Sequence, residues 1–172
     1  MATLNNIIGL SLALVLSACG FHLRGNVNLP DGVEPIYIGG LSANNQLSIA
    51  LRNLLTANNV DLSTEADQAK YQLIILDQST DRRTIGLGES ARATEYQLIE
   101  TVSFELRNKQ GIPVIGPVKI TERKIMPNDP NQIVSSSAEE KILRREILQS
   151  LAAKIARQLQ KFDYPSILAP NS

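Results

Sequence analysis

The sequence has a single cysteine, so it can form no intrachain disulfide and has no CxxC-type metal site. It has one histidine, His22, and no tryptophan, and aromatics make up only 4% of residues, too few for a stacking platform for bases or sugars. Neither sign of charge is in excess. The 17 basic side chains stand against 17 acidic ones, so no bulk field favours nucleic acid or a strongly acidic substrate. Recognition must therefore come from aliphatic surface and locally placed charges.

What is present begins with the apolar run IIGLSLALVL at residues 7–16. It falls well short of the roughly 20 residues a spanning helix needs, but it suits the h-region of a signal peptide. The order Leu16, Ser17, Ala18, Cys19 then matches the bacterial lipobox, in which the thiol is acylated and the chain is cut just before it. No Lys or Arg precedes Cys19, so the positive n-region reduces to the terminal amine. Two or three acyl chains, each adding about 0.8 kcal/mol per buried CH₂, would hold Cys19 stably on a membrane. Gly20 in place of an aspartate suits sorting to the outer membrane. The expected division is a signal peptide over 1–18, an acylated tether over 19–33, a domain over 34–164 and a short polar tail over 165–172.

Within the domain, Ile36-Tyr37-Ile38 reads as a short strand closed by Gly39-Gly40. Leu47, Ala50, Leu51, Leu54 and Leu55 recur at helical spacing, with Ser42 or Asn44 as N-cap and an end near Asn58-Asn59. YQLIIL at 71–76 reads as an inner strand, and polar residues 77–93 as a loop or frayed strand end. Residues 94–107 alternate clearly: Tyr96, Leu98, Val102, Phe104 and Leu106 share one parity, which Glu100 breaks as Ile99 breaks the polar one, and a bulge or a strand end projecting past the core would explain both. Asn108-Lys109-Gln110-Gly111 supplies a turn into a strand over 112–126, which Pro113 and Pro117 place at a sheet edge. A final helix over 137–162 carries Ile142, Ile147, Leu151, Ile155, Leu159 and Phe162 as its buried stripe, capped by Ser136 with Glu139 or Ser137 with Glu140. The fold expected is α+β, with two helices packed on one face of a four-stranded mixed sheet, in the order strand-helix-strand-strand-strand-helix.

Catalytic chemistry finds no footing. His22 sits three residues after Cys19 on a tether that cannot hold a base in position, and Ser135-Ser136-Ser137 lack a partner base. Gly86-Leu87-Gly88 has no helix after it to make a phosphate loop, and the neighbours Glu139 and Glu140 point apart on a helix. No enzyme activity, catalytic residue, metal or cofactor is expected.

Three segments, LSACGFHLRG at 16–25, ATEYQLIETV at 93–102 and DPNQ at 129–132 ahead of the long helix, together resemble the LptE family of lipopolysaccharide-assembly lipoproteins. The resemblance runs in order from Cys19 to about Phe162. It implies a non-enzymatic lipoprotein of the outer membrane, anchored through Cys19 and facing the periplasm and the lumen of its partner, an LptD-type β-barrel. It also implies that the protein plugs that barrel, binds lipopolysaccharide and supports its assembly into the outer leaflet, with no role for nucleic acid. Lipid A carries phosphates, which arginine binds bidentately, so Arg82, Arg83, Arg92, Arg123 and Lys124 around the hairpin are the candidate contacts. On a gapless match the basic lipid contacts of relatives fall at Glu89 and Ser136, which leaves that role to neighbouring cations. Two other functions share the anchor and the small domain: an adaptor of another barrel or secretion machine, and an envelope hydrolase, which the missing base and nucleophile disfavour.

Overall fold

The structure, a computed structural model, describes residues 27–88, 92–128 and 133–164. Cys19, the segment 1–26, Glu89, the DPNQ motif and the tail from 165 onward lie outside the described residues. Seven elements follow one another: β1 (Ile36–Gly39), α1 (Gln46–Ala57), β2 (Leu62–Ser63), β3 (Tyr71–Leu87), β4 (Ala93–Asn108), β5 (Pro113–Pro127) and α2 (Ile133–Lys161).

The five strands form one mixed sheet in the order β2-β1-β3-β4-β5, with β1 parallel to β2 and β3, and the β3–β4 and β4–β5 pairs antiparallel. The α+β class, the two helices and the mixed sheet agree with expectation, but the sheet has five strands rather than four, and the element order gains a strand after the first helix. The extra strand, β2, is two residues long and pairs only with Ile36 and Tyr37. A dipeptide carries no periodicity, so backbone pairing alone defines it.

A larger departure concerns β3. Its polar half, residues 77–87, expected as a loop or frayed strand end, is continuous strand and stays paired with β4 as far as Leu87 opposite Ala93, with further shifts of register around Gly86. Ile75 is its last buried residue, so the ladder to β4 and not a core sustains this half. Seventeen residues at ~3.3 Å each make β3 about 55 Å long. A shift of register between Ile75 and Asp77 turns the strand, after which Gln78, Thr80 and Arg82 stand on the parity of Val102, Glu100 and Leu98.

Leu73, Ile75, Leu98, Val102, Phe104 and Leu106 from the sheet pack with Leu47, Leu51 and Leu55 of α1 and Ile147, Leu151, Ile155 and Leu159 of α2 in one core. Both helices thus cover the same face of the sheet, and the other face carries Ser79, Thr101, Ser103, Thr121 and Lys119 in cross-strand register with one another. Asn45, one residue beyond the expected caps, accepts the backbone N–H groups of Leu47 and Ser48 and caps α1. α2 begins at Ile133, four residues before its expected start, so Ser136 and Ser137 lie inside it rather than at its cap. Ile142, expected in the stripe, is 54% exposed, because the buried positions repeat every four residues back from Leu159 to Ile147 and do not continue through it.

The turn at 108–111 is built as its residues foretell. Asn108 accepts N–H bonds from Gln110 and Ile112 through its side chain, and Gly111 takes a φ of 78°. β5 occupies the sheet edge, where the missing N–H groups of its prolines cost no ladder bond. Ahead of β1, Val27 and Val33 are buried, and the Val27 N–H donates to Asn58 Oδ1, so packing of the domain begins within the segment counted as tether.

Candidate functional site

The interruption of the apolar parity at Glu100 is not a bulge. Glu100 keeps its place between Leu98 and Val102, 2% exposed, in unbroken register with Thr80 on β3 and Glu122 on β5. A buried carboxylate is tolerable only when paired and hydrogen-bonded. Arg144 of α2 supplies the pair at 2.8 Å, and the Thr80 hydroxyl donates at 2.8 Å. Arg144 also binds Glu140 one turn earlier, at 2.7 Å, and Glu140 accepts in turn from Arg82 on β3 at 3.0 Å. Arg82 completes the chain by lying over the Tyr96 ring, 4.7 Å from its centre. This network ties the N-terminal half of α2 to the outer half of the β3–β4 pair, where β3 itself contributes no buried apolar side chain.

Farther along, α2 crosses to the sheet edge. Glu122 on β5 accepts from Ser150 at 2.7 Å and pairs with Lys154 at 2.6 Å, while Lys124 pairs with Glu146. Burial pushes the carboxyls of Glu140 and Glu122 up, but the bonds and charges of Arg144 and Arg82 on the first, and of Lys154 and Ser150 on the second, outweigh it and hold both below the usual value of 4.5. A carboxyl depressed in the folded state stabilises the fold at pH above its unfolded pKa, and that contribution is lost as pH falls through the folded value. The melting temperature should therefore fall as the pH drops below about 4.5, and Glu140→Gln with Glu122→Gln should flatten that fall; thermal scans between pH 3 and 7 on both proteins check it.

The five basic candidates divide among three places. Arg82 and Lys124 both stand opposite Leu98, in one row across the helix-covered face, and both are paired to α2, through Glu140 and Glu146. Arg83 and Arg123 are on the other face, together with Asp81 and Ile99. Arg83 binds Asp81 at 2.9 Å, and this hydrogen bond, with that of the Arg82 N–H, holds the Asp81 carboxyl below its ordinary value. Arg92 is exposed just before β4, where its carbonyl accepts from the Gly88 N–H. It sits six residues along the ladder from the Leu98 row, about 20 Å at ~3.3 Å per residue, so the hairpin does not bring it beside Lys124.

Two features escaped the sequence reading. One is the Glu100–Arg144 network, whose signal was the charge on an otherwise apolar parity. The other is a pair of cavities between the helices, which no sequence period marks. Among the described residues no helix is long and apolar enough to cross a membrane, and no His, Cys, Asp and Glu side chains cluster as metal ligands.

Comparison with known proteins places this geometry. The chain is 26% identical over 153 residues to an LPS-assembly lipoprotein LptE from Photorhabdus laumondii, covering 89% of this chain and 82% of that one. It is 25% identical over 154 residues, with the same coverage, to the protein of that name from Pectobacterium atrosepticum. Its fold matches the crystal structure of a minor lipoprotein from Acinetobacter baumannii with a TM-score of 0.64 at 26% identity, covering 76% of this chain and 93% of the other. A solution structure of lipoprotein B from Nitrosomonas europaea shares the fold with a TM-score of 0.68 at 24% identity, over 82% of this chain and 90% of that one. The family model for LptE, described as lipopolysaccharide-assembly, matches residues 33–159, the whole span from the edge of β1 to the last buried turn of α2, and the chain belongs to that family.

Proposed function

We propose that this protein is a non-enzymatic lipoprotein of the outer membrane, acylated at Cys19 once residues 1–18 are removed. It plugs an LptD-type β-barrel, binds lipopolysaccharide and supports its assembly into the outer leaflet. The observation that carries this reading is the family match over residues 33–159. The sheet face left open by the helices lends support. Its polar Ser79, Thr101, Ser103 and Thr121 and its charged Lys119 and Arg123 suit the polar interior of a membrane barrel. The anchor on Cys19 holds the domain at the periplasmic surface, facing the barrel lumen.

Arg82, Arg83, Arg92, Arg123 and Lys124 serve as phosphate contacts in this reading. Arg92 and Arg123 are exposed and form no ion pair among the described residues, whereas Arg82 and Lys124 must first leave Glu140 and Glu146. Replacing Arg92 and Arg123 together by alanine should weaken lipopolysaccharide binding roughly tenfold or more, because a charge-assisted contact is worth about 1.5–3 kcal/mol where water is excluded. The melting temperature should barely move, since exposed charges add little to the fold. Titration of labelled lipopolysaccharide against both proteins at two salt concentrations measures this. Unchanged affinity in the double variant would remove these arginines from the site.

A further inference from the structure

Two cavities open side by side between the helices. One, of about 470 Å³, is lined by Ile49, Ala50 and Leu54 of α1 and Leu148 and Ala152 of α2. The other, of about 460 Å³, reaches from Asn45 and Gln46 at the start of α1 to Thr80 and Glu100 on the sheet, and Lys141, Arg144 and Arg145 flank it. Gln46, Arg145 and Leu148 line both, so an aliphatic trough runs directly into a cationic one.

Two of the three cations at that end have no ion pair among the described residues. Arg144 is neutralised by Glu100 and Glu140, but Lys141 and Arg145 are exposed and have no ion pair among the described residues. They stand four residues apart on α2, where like charges repel. The first turn of α1 beside them carries no acidic residue, so only the neutral Asn45 cap meets the positive end of its dipole. The trough meanwhile leaves Ala50 and Leu54 only partly covered, although they share the apolar stripe of Leu47, Leu51 and Leu55. From Gln46 to Leu54 it follows eight helical rises, about 12 Å at ~1.5 Å each, a length suited to an extended hydrocarbon chain.

We propose that the two cavities form one site for an anionic lipid, with a single acyl chain in the trough between α1 and α2 and a phosphate between Lys141 and Arg145. This deepens the lipopolysaccharide-binding reading and rests on it for the identity of the occupant, while placing a contact away from the hairpin cations. Charge complementarity sets the orientation. The trough has no charged side chain except Arg145 at its junction with the cationic cavity, and Lys141 is found only on the cationic side.

The test uses the full chain with Cys19→Ala, so that no anchor acyl chain competes, and dodecyl phosphate carrying a photoreactive group midway along its chain. Adducts should map to the peptides holding Ala50, Leu54 and Ala152, and lipopolysaccharide should compete for them. Lys141→Ala with Arg145→Ala should weaken dodecyl phosphate roughly tenfold or more without changing the binding of dodecyl maltoside, which has the same chain and an uncharged head. Ala50→Trp should abolish both by filling the trough, and the charge variant keeps the test decisive if the tryptophan disturbs folding. Adducts elsewhere, or equal binding of the two amphiphiles in every variant, would overturn the site. Lipopolysaccharide binding with no adduct in the trough when Ala50 is intact would overturn the site but leave the lipopolysaccharide reading intact. Dodecyl phosphate seated in the trough without competition from lipopolysaccharide would keep the site and remove lipopolysaccharide as its occupant.

Discussion

Arg144→Ala should lower the unfolding free energy by about 3 kcal/mol, the low end of what breaking a buried ion pair costs, because Arg144 itself keeps some access to water. The loss arises from Glu100, whose side chain is 3% exposed and would be left, among the described residues, with the Thr80 hydroxyl as its hydrogen-bonding side chain. Glu140 would keep Arg82, so the damage should concentrate at Glu100. For a domain of this size, about 3 kcal/mol is a large share of the usual 5–15 kcal/mol. Replacing both partners with leucine should recover most of the loss, since two well-packed apolar side chains avoid the desolvation of two charges. Urea unfolding of the single and double variants measures the coupling. A loss below 1 kcal/mol in Arg144→Ala would mean that water or another cation already satisfies Glu100.

Leu151→Ala should cost roughly 2–5 kcal/mol, from lost transfer energy and the cavity left behind. Leu151 is 0% exposed and lies midway along the run Ile147, Ile155 and Leu159 that seats α2 on the sheet. Collapse into the vacated space is restricted because α1 and the sheet both press on the same core. Lys154→Ala, on the same turn, removes a pair with Glu122 whose lysine is 39% exposed, and should cost under about 1 kcal/mol. Equal losses in the two variants, measured by thermal or urea unfolding, would show that the stripe on α2 is misplaced.

These two residues mark where the sequence speaks and where it falls silent. Leu151 belongs to a repeat at helical spacing, and the core half of the domain was legible from such repeats. β4 alternates over the length at which it pairs, α1 ends where expected, and the turn at 108–111 carries its own chemistry in Asn108 and Gly111. The outer half of β3 was not legible, because its residues bury nothing and owe their extended form to β4. β2 was too short to leave a pattern. Glu100 did leave a trace, as the one charge on an apolar parity, but its partner lies 44 residues away on another element and no local rule finds it. The division of the basic candidates between two faces follows from the register and the shift after Ile75, neither of which composition encodes. The first helix is capped one residue beyond the expected caps, at Asn45, and the last begins four residues early, at Ile133.

The central claim is that this member of the LptE family works as the plug of an LptD-type barrel, and a pull-down from detergent-solubilised outer membranes tests it most directly. With the tagged full chain expressed in its own envelope, an LptD-type β-barrel should be retained in near-equal amount through a high-salt wash, because a plug enclosed by a barrel is held by shape as well as charge. A chain that elutes alone, or with a different barrel, would contradict the account.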